Sequence, residues 1–163
     1  MSIRFKEGID TGHASLLCKW SNEQGQEFQE QWMGPLVPFP LTCDKIAELD
    51  HLFSIFREED FIGVIQEIRI DENNIHIGRF LIDPQKQGMG LGTEALKGFM
   101  GLLFKNRHIR SITLTVFDYN QKAIRLYEKH GFEIEETVEV PKLKYVMRKQ
   151  RTSYRGDRQS WIY

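Results

Sequence analysis

The chain has 163 residues, of which 40% are hydrophobic and 28% charged, and a formal net charge of −1. That length suits one domain with one buried core, and the even charge balance excludes a general nucleic-acid binder. The apolar stretches are strand-sized and broken by charges, well short of the roughly 18 consecutive apolar residues of a membrane span, and residues 1–8 lack the apolar run of a secretion signal, so a soluble cytoplasmic protein without membrane contact is expected.

In chain order, residues 2–6 read as a short first strand and residues 13–20 as a helix. Residues 21–42, "SNEQGQEFQEQWMGPLVPFPLT", read as irregular, with Pro35, Pro38 and Pro40 stopping regular structure. Thr42 is placed as the N-cap of a short helix, "CDKIAEL". "LFSIFREEDFIGVIQEIRI" is rich in β-branched and aromatic residues and turns near Glu59 and Asp60, which predicts two adjacent strands. "DENN" turns again into "IHIGRFLID", completing an antiparallel meander. A helix follows with Leu96, Phe99, Met100 and Leu103 on one face, the i, i+3, i+4, i+7 spacing of a core-facing stripe. Then come the strand "SITLTVF", a turn through Asp118 and Asn120, the helix "QKAIRLYEKH" stopped at Gly131, and strands near residues 132–138 and 142–147. The expected class is α/β: a single mixed, mostly antiparallel twisted sheet with helices on both faces and a splayed central parallel pair. Residues 1–150 form the expected domain and residues 151–163 a tail, whose Trp161 and Tyr163 could dock on a sheet edge or a second subunit; monomer and homodimer both remain open.

Cys18 and Cys43 lack metal-ligand spacing, so reduced thiols and no metal site are expected. The charge is uneven: residues 1–60 carry a formal −6 and residues 61–163 a formal +5. Such a division fits a polyanionic ligand and a cationic ligand meeting on one fold.

The chemistry concentrates in "IDPQKQGMGLGTEAL", which places Gly88, Gly90 and Gly92 at alternate positions just before a helix. A helix start leaves about four backbone N–H groups unpaired and partly positive, so it attracts phosphate, and bare glycines let the phosphate approach. A P-loop would need Lys followed by Ser or Thr after the last glycine, whereas Thr93 and Glu94 follow here. The dinucleotide fingerprint would need G-x-G-x-x-G, whereas the spacing here is G-x-G-x-G. The pattern that fits is Gln-x-x-Gly-x-Gly, from Gln87 to Gly92.

With that motif, and with "VFDYNQKAIRLYEKHGF" further on, the chain resembles the GNAT superfamily of acyl-CoA-dependent N-acetyltransferases. The matching motifs span residues 75–132, about a third of the chain. The resemblance implies that acetyl-CoA, as co-substrate, lies where "RFLID" and "TLTVF" splay. Backbone groups of Phe80, Leu81 and Ile82 would pair with its pantetheine arm, and amides of Gln87, Gly88, Met89, Gly90, Leu91, Gly92 and Thr93 would hold its pyrophosphate. Lys86 is a further candidate phosphate contact. Asn120 would cap its helix and touch the cofactor.

Tyr127 lies seven residues beyond Asn120, on the same helical face, and a phenol with a pKa of about 10 can donate a proton to a departing thiolate. The resemblance makes it the general acid. In the branch that acetylates ribosomal-protein N-termini, a glutamate twelve residues earlier serves as base; here that position is Thr115. His76 and Glu67 are the alternative bases, with strand parity deciding which faces the cleft, beside a water chain with no dedicated base; His76 would give a limb near pH 6 to 7. A backbone N–H near Leu81 or Ile82 is the expected oxyanion donor. Glu23, Glu27 and Glu30, interleaved with Trp20, Phe28 and Trp32, suggest an acidic, aromatic lining for a cationic acceptor. The expected activity is acetyl transfer to a primary amine, either a small molecule or a peptide N-terminus. The alternative is a CoA-binding sensor or structural module of the same fold without catalysis.

Overall fold

The computed structural model describes residues 2–152. Its elements are β1 (Ile3–Glu7), α1 (Thr11–Gln24), α2 (Gln26–Met33), α3 (Cys43–Ala47), β2 (Leu52–Arg57), β3 (Asp60–Ile70), β4 (Asn74–Ile82), α4 (Leu91–Phe104), β5 (Ser111–Phe117), α5 (Gln121–Lys129), β6 (Glu133–Val138) and β7 (Lys144–Gln150). Local chemistry sets several of these boundaries. The side chains of Asp10, Thr42 and Asn120 accept from the third backbone N–H beyond them and so cap α1, α3 and α5.

The expected irregular stretch over residues 21–42 is corrected. α1 continues to Gln24, and α2 forms before the prolines, which end it instead of preventing it. Tertiary burial stabilises α2: Trp32 and Met33 are buried, and Gln29 donates from Nε2 to the carbonyls of Val37 and Pro38 at 2.9 and 3.1 Å. Gly25, at φ +96°, makes the joint between the two helices.

The seven strands form one sheet in the order β1-β2-β3-β4-β5-β7-β6, antiparallel everywhere except between β4 and β5. That parallel pairing is brief, setting Asn74, Ile75 and His76 opposite Ser111, Ile112 and Thr113. Two apolar clusters hold the helices to the sheet. One joins Ile55, Ile62, Ile65, Ile112 and Leu114 to the α4 side chains and to Ile124 of α5. The other joins Leu52, Phe56, Phe61 and Val64 to Leu17, Trp20, Trp32 and Ile46 of α1, α2 and α3.

α4 buries Leu91, Leu96, Phe99, Met100 and Leu103. Each such side chain contributes about 1.5–3 kcal/mol, whereas a missing N-cap costs about 1 kcal/mol. Packing therefore dominates, and α4 can begin at Gly90 with no capping side chain. Arg151, expected to open a tail, is tied to the domain by donating from Nη2 to the carbonyls of Phe104 and Asn106 at 2.7 Å each. Trp161 and Tyr163 lie outside the described residues.

A Cβ on Gly63 would sit 2.1 Å from the Leu81 carbonyl oxygen, with backbone atoms unable to give way. Gly63→Ala is expected to destabilise the fold by ~2 kcal/mol or more through overpacking between β3 and β4. Urea denaturation measures this, and an unchanged midpoint would refute the close approach.

Candidate active site

After His76 and Thr113, β4 and β5 separate. β4 keeps its partner on the other side, with Gln66, Val64 and Gly63 of β3 opposite Gly78, Leu81 and Ile82. Its β5-facing edge is free, and a cleft of about 940 Å³ passes through the gap. Phe80, Leu81 and Ile82 line one wall, residues 114–117 the other, with α2 and the glycine turn as further boundaries.

The glycine turn is shaped for close approach. Gly88 and Gly90 have φ of +81° and +75°, left-handed values that side chains resist. A Cβ on Gly88, Gly90 or Gly92 would meet nothing within 4 Å. The glycines therefore border open space at the start of α4, which has no capping side chain, and a helix start leaves backbone N–H groups without internal partners. Gln87 ties the turn down: its Nε2 donates to the Ile82 carbonyl at 3.5 Å and its Oε1 accepts from Lys122 Nζ at 3.3 Å. Gln87, Leu91 and Thr93 line the cleft together with Lys86 and Lys122, whereas the Met89 side chain is exposed outside it. Unpaired helix-start amides and two lysines are the donors and charge that a polyanion requires.

Asn120 and Tyr127 also line the cleft. Asn120 Oδ1 accepts from Ala123 N–H at 3.3 Å. Tyr127 packs edge-on against Phe132, with ring centroids 5.8 Å apart. Its hydroxyl makes no hydrogen bond to a described residue, and burial pushes its pKa up to about 12.

The structure separates the two candidate bases. His76 is buried yet borders the cleft, with Nδ1 2.8 Å from Thr113 Oγ1 and Nε2 3.2 Å from Thr115 Oγ1. Burial first, then Arg69 and Arg148, bring its pKa down to about 4 against the opposing effect of Asp71. The expected limb near pH 6 to 7 is therefore not what this imidazole supplies. Glu67 is outside the cleft lining; burial raises its pKa, and His51 and Glu7 are its charged neighbours. Irregularities in β3 between Val64 and Gln66 and between Glu67 and Arg69 break the simple alternation on which parity depends.

The acidic lining also narrows. Glu30, Phe28 and Trp32 border the cleft, whereas Glu23 and Glu27 are exposed outside its lining and Trp20 stacks on Phe61 in the core. Glu30 Oε2 accepts from Lys142 Nζ at 3.4 Å. Leu81 and Ile82, the expected oxyanion region, remain in register with β3, while Arg79 and Phe80 have no register partner there.

Arg79 escaped the sequence reading, although a charge inside an apolar strand was its signal. It has φ +46°, lines the cleft, and donates to the Met33 carbonyl at 3.1 Å and to Gln66 Oε1 at 2.9 Å. No carboxylate pairs with it among the described residues. Among those residues there is also no cluster of three His, Cys, Asp or Glu able to hold a metal.

This geometry agrees with the comparisons. The model of the acetyltransferase (GNAT) family matches residues 16–132. Over 143 residues the chain is 32% identical to the spermine/spermidine N(1)-acetyltransferase of Bacillus subtilis, covering 82% of this chain and 89% of that one. A shorter match, 37% over 65 residues, covers 40% of this chain and 32% of the aminoglycoside N(6')-acetyltransferase type 1 of Klebsiella pneumoniae. The fold is shared with the spermidine N-acetyltransferase of Vibrio cholerae in complex with CoA and spermine, at TM-score 0.74 and 18% identity over 93% of this chain and 97% of that one. It is also shared with the aminoglycoside acetyltransferase AAC(6')-Ib in complex with coenzyme A, at TM-score 0.72 and 22% identity over 96% and 99% of the two chains. The chain belongs to the GNAT acetyltransferase family. It is an acyl-CoA-dependent N-acetyltransferase with acetyl-CoA as its co-substrate.

Gly92 has an ordinary helical conformation, so its missing side chain serves space and not backbone freedom. Gly92→Leu is expected to leave the melting temperature unchanged or slightly raised, since leucine is the better helix former. The same change should weaken CoA binding ~10-fold or more by filling the approach to the amides. Calorimetric titration of CoA checks this, and undiminished affinity would place the diphosphate elsewhere.

Proposed function

We propose that the protein moves the acetyl group of acetyl-CoA directly to a primary amine of a small polycationic acceptor while both are bound in the cleft. One observation carries this reading: the cleft runs through the parted strands, from the glycine turn at one end to α2 with Glu30 at the other. Donor and acceptor can then reach one point from opposite sides, which removes the entropic cost of a second encounter. The names of the relatives, which act on spermine, spermidine or aminoglycosides, support an acceptor with several ammonium groups.

The amides of residues 87–93 hold the diphosphate, with Lys86 and Lys122 adding charge. The free edge of β4 at Phe80, Leu81 and Ile82 offers peptide groups to the pantetheine amides, as a sheet edge does to an added strand. Asn120 steadies the start of α5, which carries Tyr127. Acetyl-CoA supplies the acetyl group as an activated thioester.

The acceptor ammonium first loses a proton to water, because no carboxylate stands at Thr115 and His76 is a weak base. The neutral nitrogen then bonds to the carbonyl carbon, the carbon–sulfur bond breaks, and Tyr127 donates to the departing sulfur. A second proton leaves the nitrogen and restores the phenol. Burial destabilises phenolate and thiolate alike, so the proton is shared where the thiolate forms. Glu30, with the rings of Phe28 and Trp32, faces the acceptor's remaining charge.

Arg79 favours a second reading, an acceptor that carries a carboxylate beside its amine, since its guanidinium borders the cleft without an acidic partner among the described residues. Thiol release from acetyl-CoA with a panel of polyamines, aminoglycosides and amino acids decides between the two. CoA binding without thiol release for any amine would leave a sensor or structural module.

Tyr127→Phe is expected to lower kcat ~100-fold with KM for acetyl-CoA unchanged. Unchanged turnover would remove the phenol from the reaction. Glu30→Gln should raise KM for a polyamine ~3- to 5-fold, the scale of a partly exposed charge pair, and leave KM for acetyl-CoA alone. Equal KM values for the two proteins would take Glu30 out of acceptor recognition.

A further inference from the structure

Beneath the point where β4 and β5 part lies a continuous run of polar side chains on four strands. Arg148 of β7 donates from Nε to Glu135 Oε1 at 2.7 Å and from Nη1 to Ser111 Oγ at 2.6 Å and Asn74 Oδ1 at 3.2 Å. Ser111 Oγ donates to Asn74 Oδ1 at 2.7 Å, and Asn74 Nδ2 donates to Thr113 Oγ1 at 2.9 Å. Thr113 Oγ1 is 2.8 Å from His76 Nδ1, and His76 Nε2 is 3.2 Å from Thr115 Oγ1. Asn74, Ser111, Thr113 and His76 are all buried, whereas Thr115 is exposed on the cleft wall.

The direction of this chain follows from its first member. A guanidinium only donates, so Ser111 and the Asn74 oxygen must accept from it. That fixes the Asn74 amide with its nitrogen toward Thr113. Thr113 accepts there, and its own hydrogen has one acceptor within reach among the described residues, His76 Nδ1. The opposite tautomer would leave a buried hydroxyl hydrogen unpaired. Nδ1 therefore accepts, Nε2 carries the imidazole proton, and Thr115 Oγ1 receives it. The hydrogen of Thr115 then has no acceptor among the described residues, and because Thr115 lines the cleft it is free to donate to a group bound there.

We infer that Thr115 is a catalytic hydrogen-bond donor to the oxygen that becomes negative as the amine adds to the thioester carbonyl, and that His76 is its positioning residue, not a base. This rests on the direct-transfer reading above. Thr115 lies two residues beyond Thr113, the last β5 residue paired with β4, so its hydroxyl stands where the gap opens. A donor held in advance beside developing charge is the arrangement that stabilises an acyl-transfer transition state. A cationic imidazole would donate from both nitrogens and lose the Thr113 bond. The surroundings keep it neutral: burial, with Arg69 and Arg148, outweighs the opposing effect of Asp71.

The test uses the full chain. Nitrogen-15 NMR of labelled histidine in the ligand-free protein should show the Nε2–H tautomer of His76, unchanged from pH 5.5 to 8. An Nδ1–H tautomer, or titration within that range, would overturn the proposal. Thr115→Val, nearly isosteric, should lower kcat ~100-fold at unchanged KM for acetyl-CoA, and Thr115→Ser should recover most of the loss. Hydrolysis of acetyl-CoA without any amine builds the same oxyanion and should slow equally in Thr115→Val. Unaltered rates of both transfer and hydrolysis in Thr115→Val would overturn the donor role. Because the tautomer and the hydrolysis are read without an acceptor, failure here is distinguishable from failure to find the amine.

Discussion

Everything functional in this protein depends on a parallel strand pair that stops pairing after three residues on each strand. A continuous β4–β5 ladder would satisfy both edges and close the sheet to ligands. Instead β4 continues against β3 alone, leaving peptide groups on its other edge for something that is not protein. The interruption in β3–β4 register around Arg79, with its left-handed backbone, bends the strand at the same place. Packing makes this affordable in free energy, since α4, β3 and β5 bury large side chains in one cluster that does not need the missing ladder.

The same burial that stabilises the walls sets the chemistry between them. It moves Tyr127 and His76 in opposite directions, the phenol up to about 12 and the imidazole down to about 4, and leaves both neutral at physiological pH. Charge lies instead at the two ends of the cleft, Lys86 and Lys122 beside the glycine turn and Glu30 beside α2, which the proposed reaction assigns to the diphosphate and the acceptor. In the proposed reaction the middle works by hydrogen bonds whose directions are set by fixed donors, which need no reorganisation as charge develops.

How much of this could be read from the chain depends on how local each cause is. The glycine turn, the caps at Thr42 and Asn120, and the stripe on α4 are short-range patterns, and the structure keeps all of them. α2 was not legible, because Gly25 and the prolines signal irregular structure while Trp32 and Met33 are stabilised by residues distant in sequence. Glu67 and His76 looked equivalent as strand residues. Irregular register in β3 separates them, and nothing in the alternation of residue types announces it. Arg79 was overlooked for a related reason: its partners, Met33 and Gln66, come from other elements.

The order of residues alone was sufficient for the mixed sheet, the glycine turn and the family, because periodicity, capping and glycine spacing act over a few residues and survive any arrangement of the rest. Which side chains share the cleft was settled by assembly. A one-residue irregularity in register reverses every side chain beyond it, and a hydrogen-bond direction, such as the one running from Arg148 to Thr115, exists only once β7, β5 and β4 are aligned.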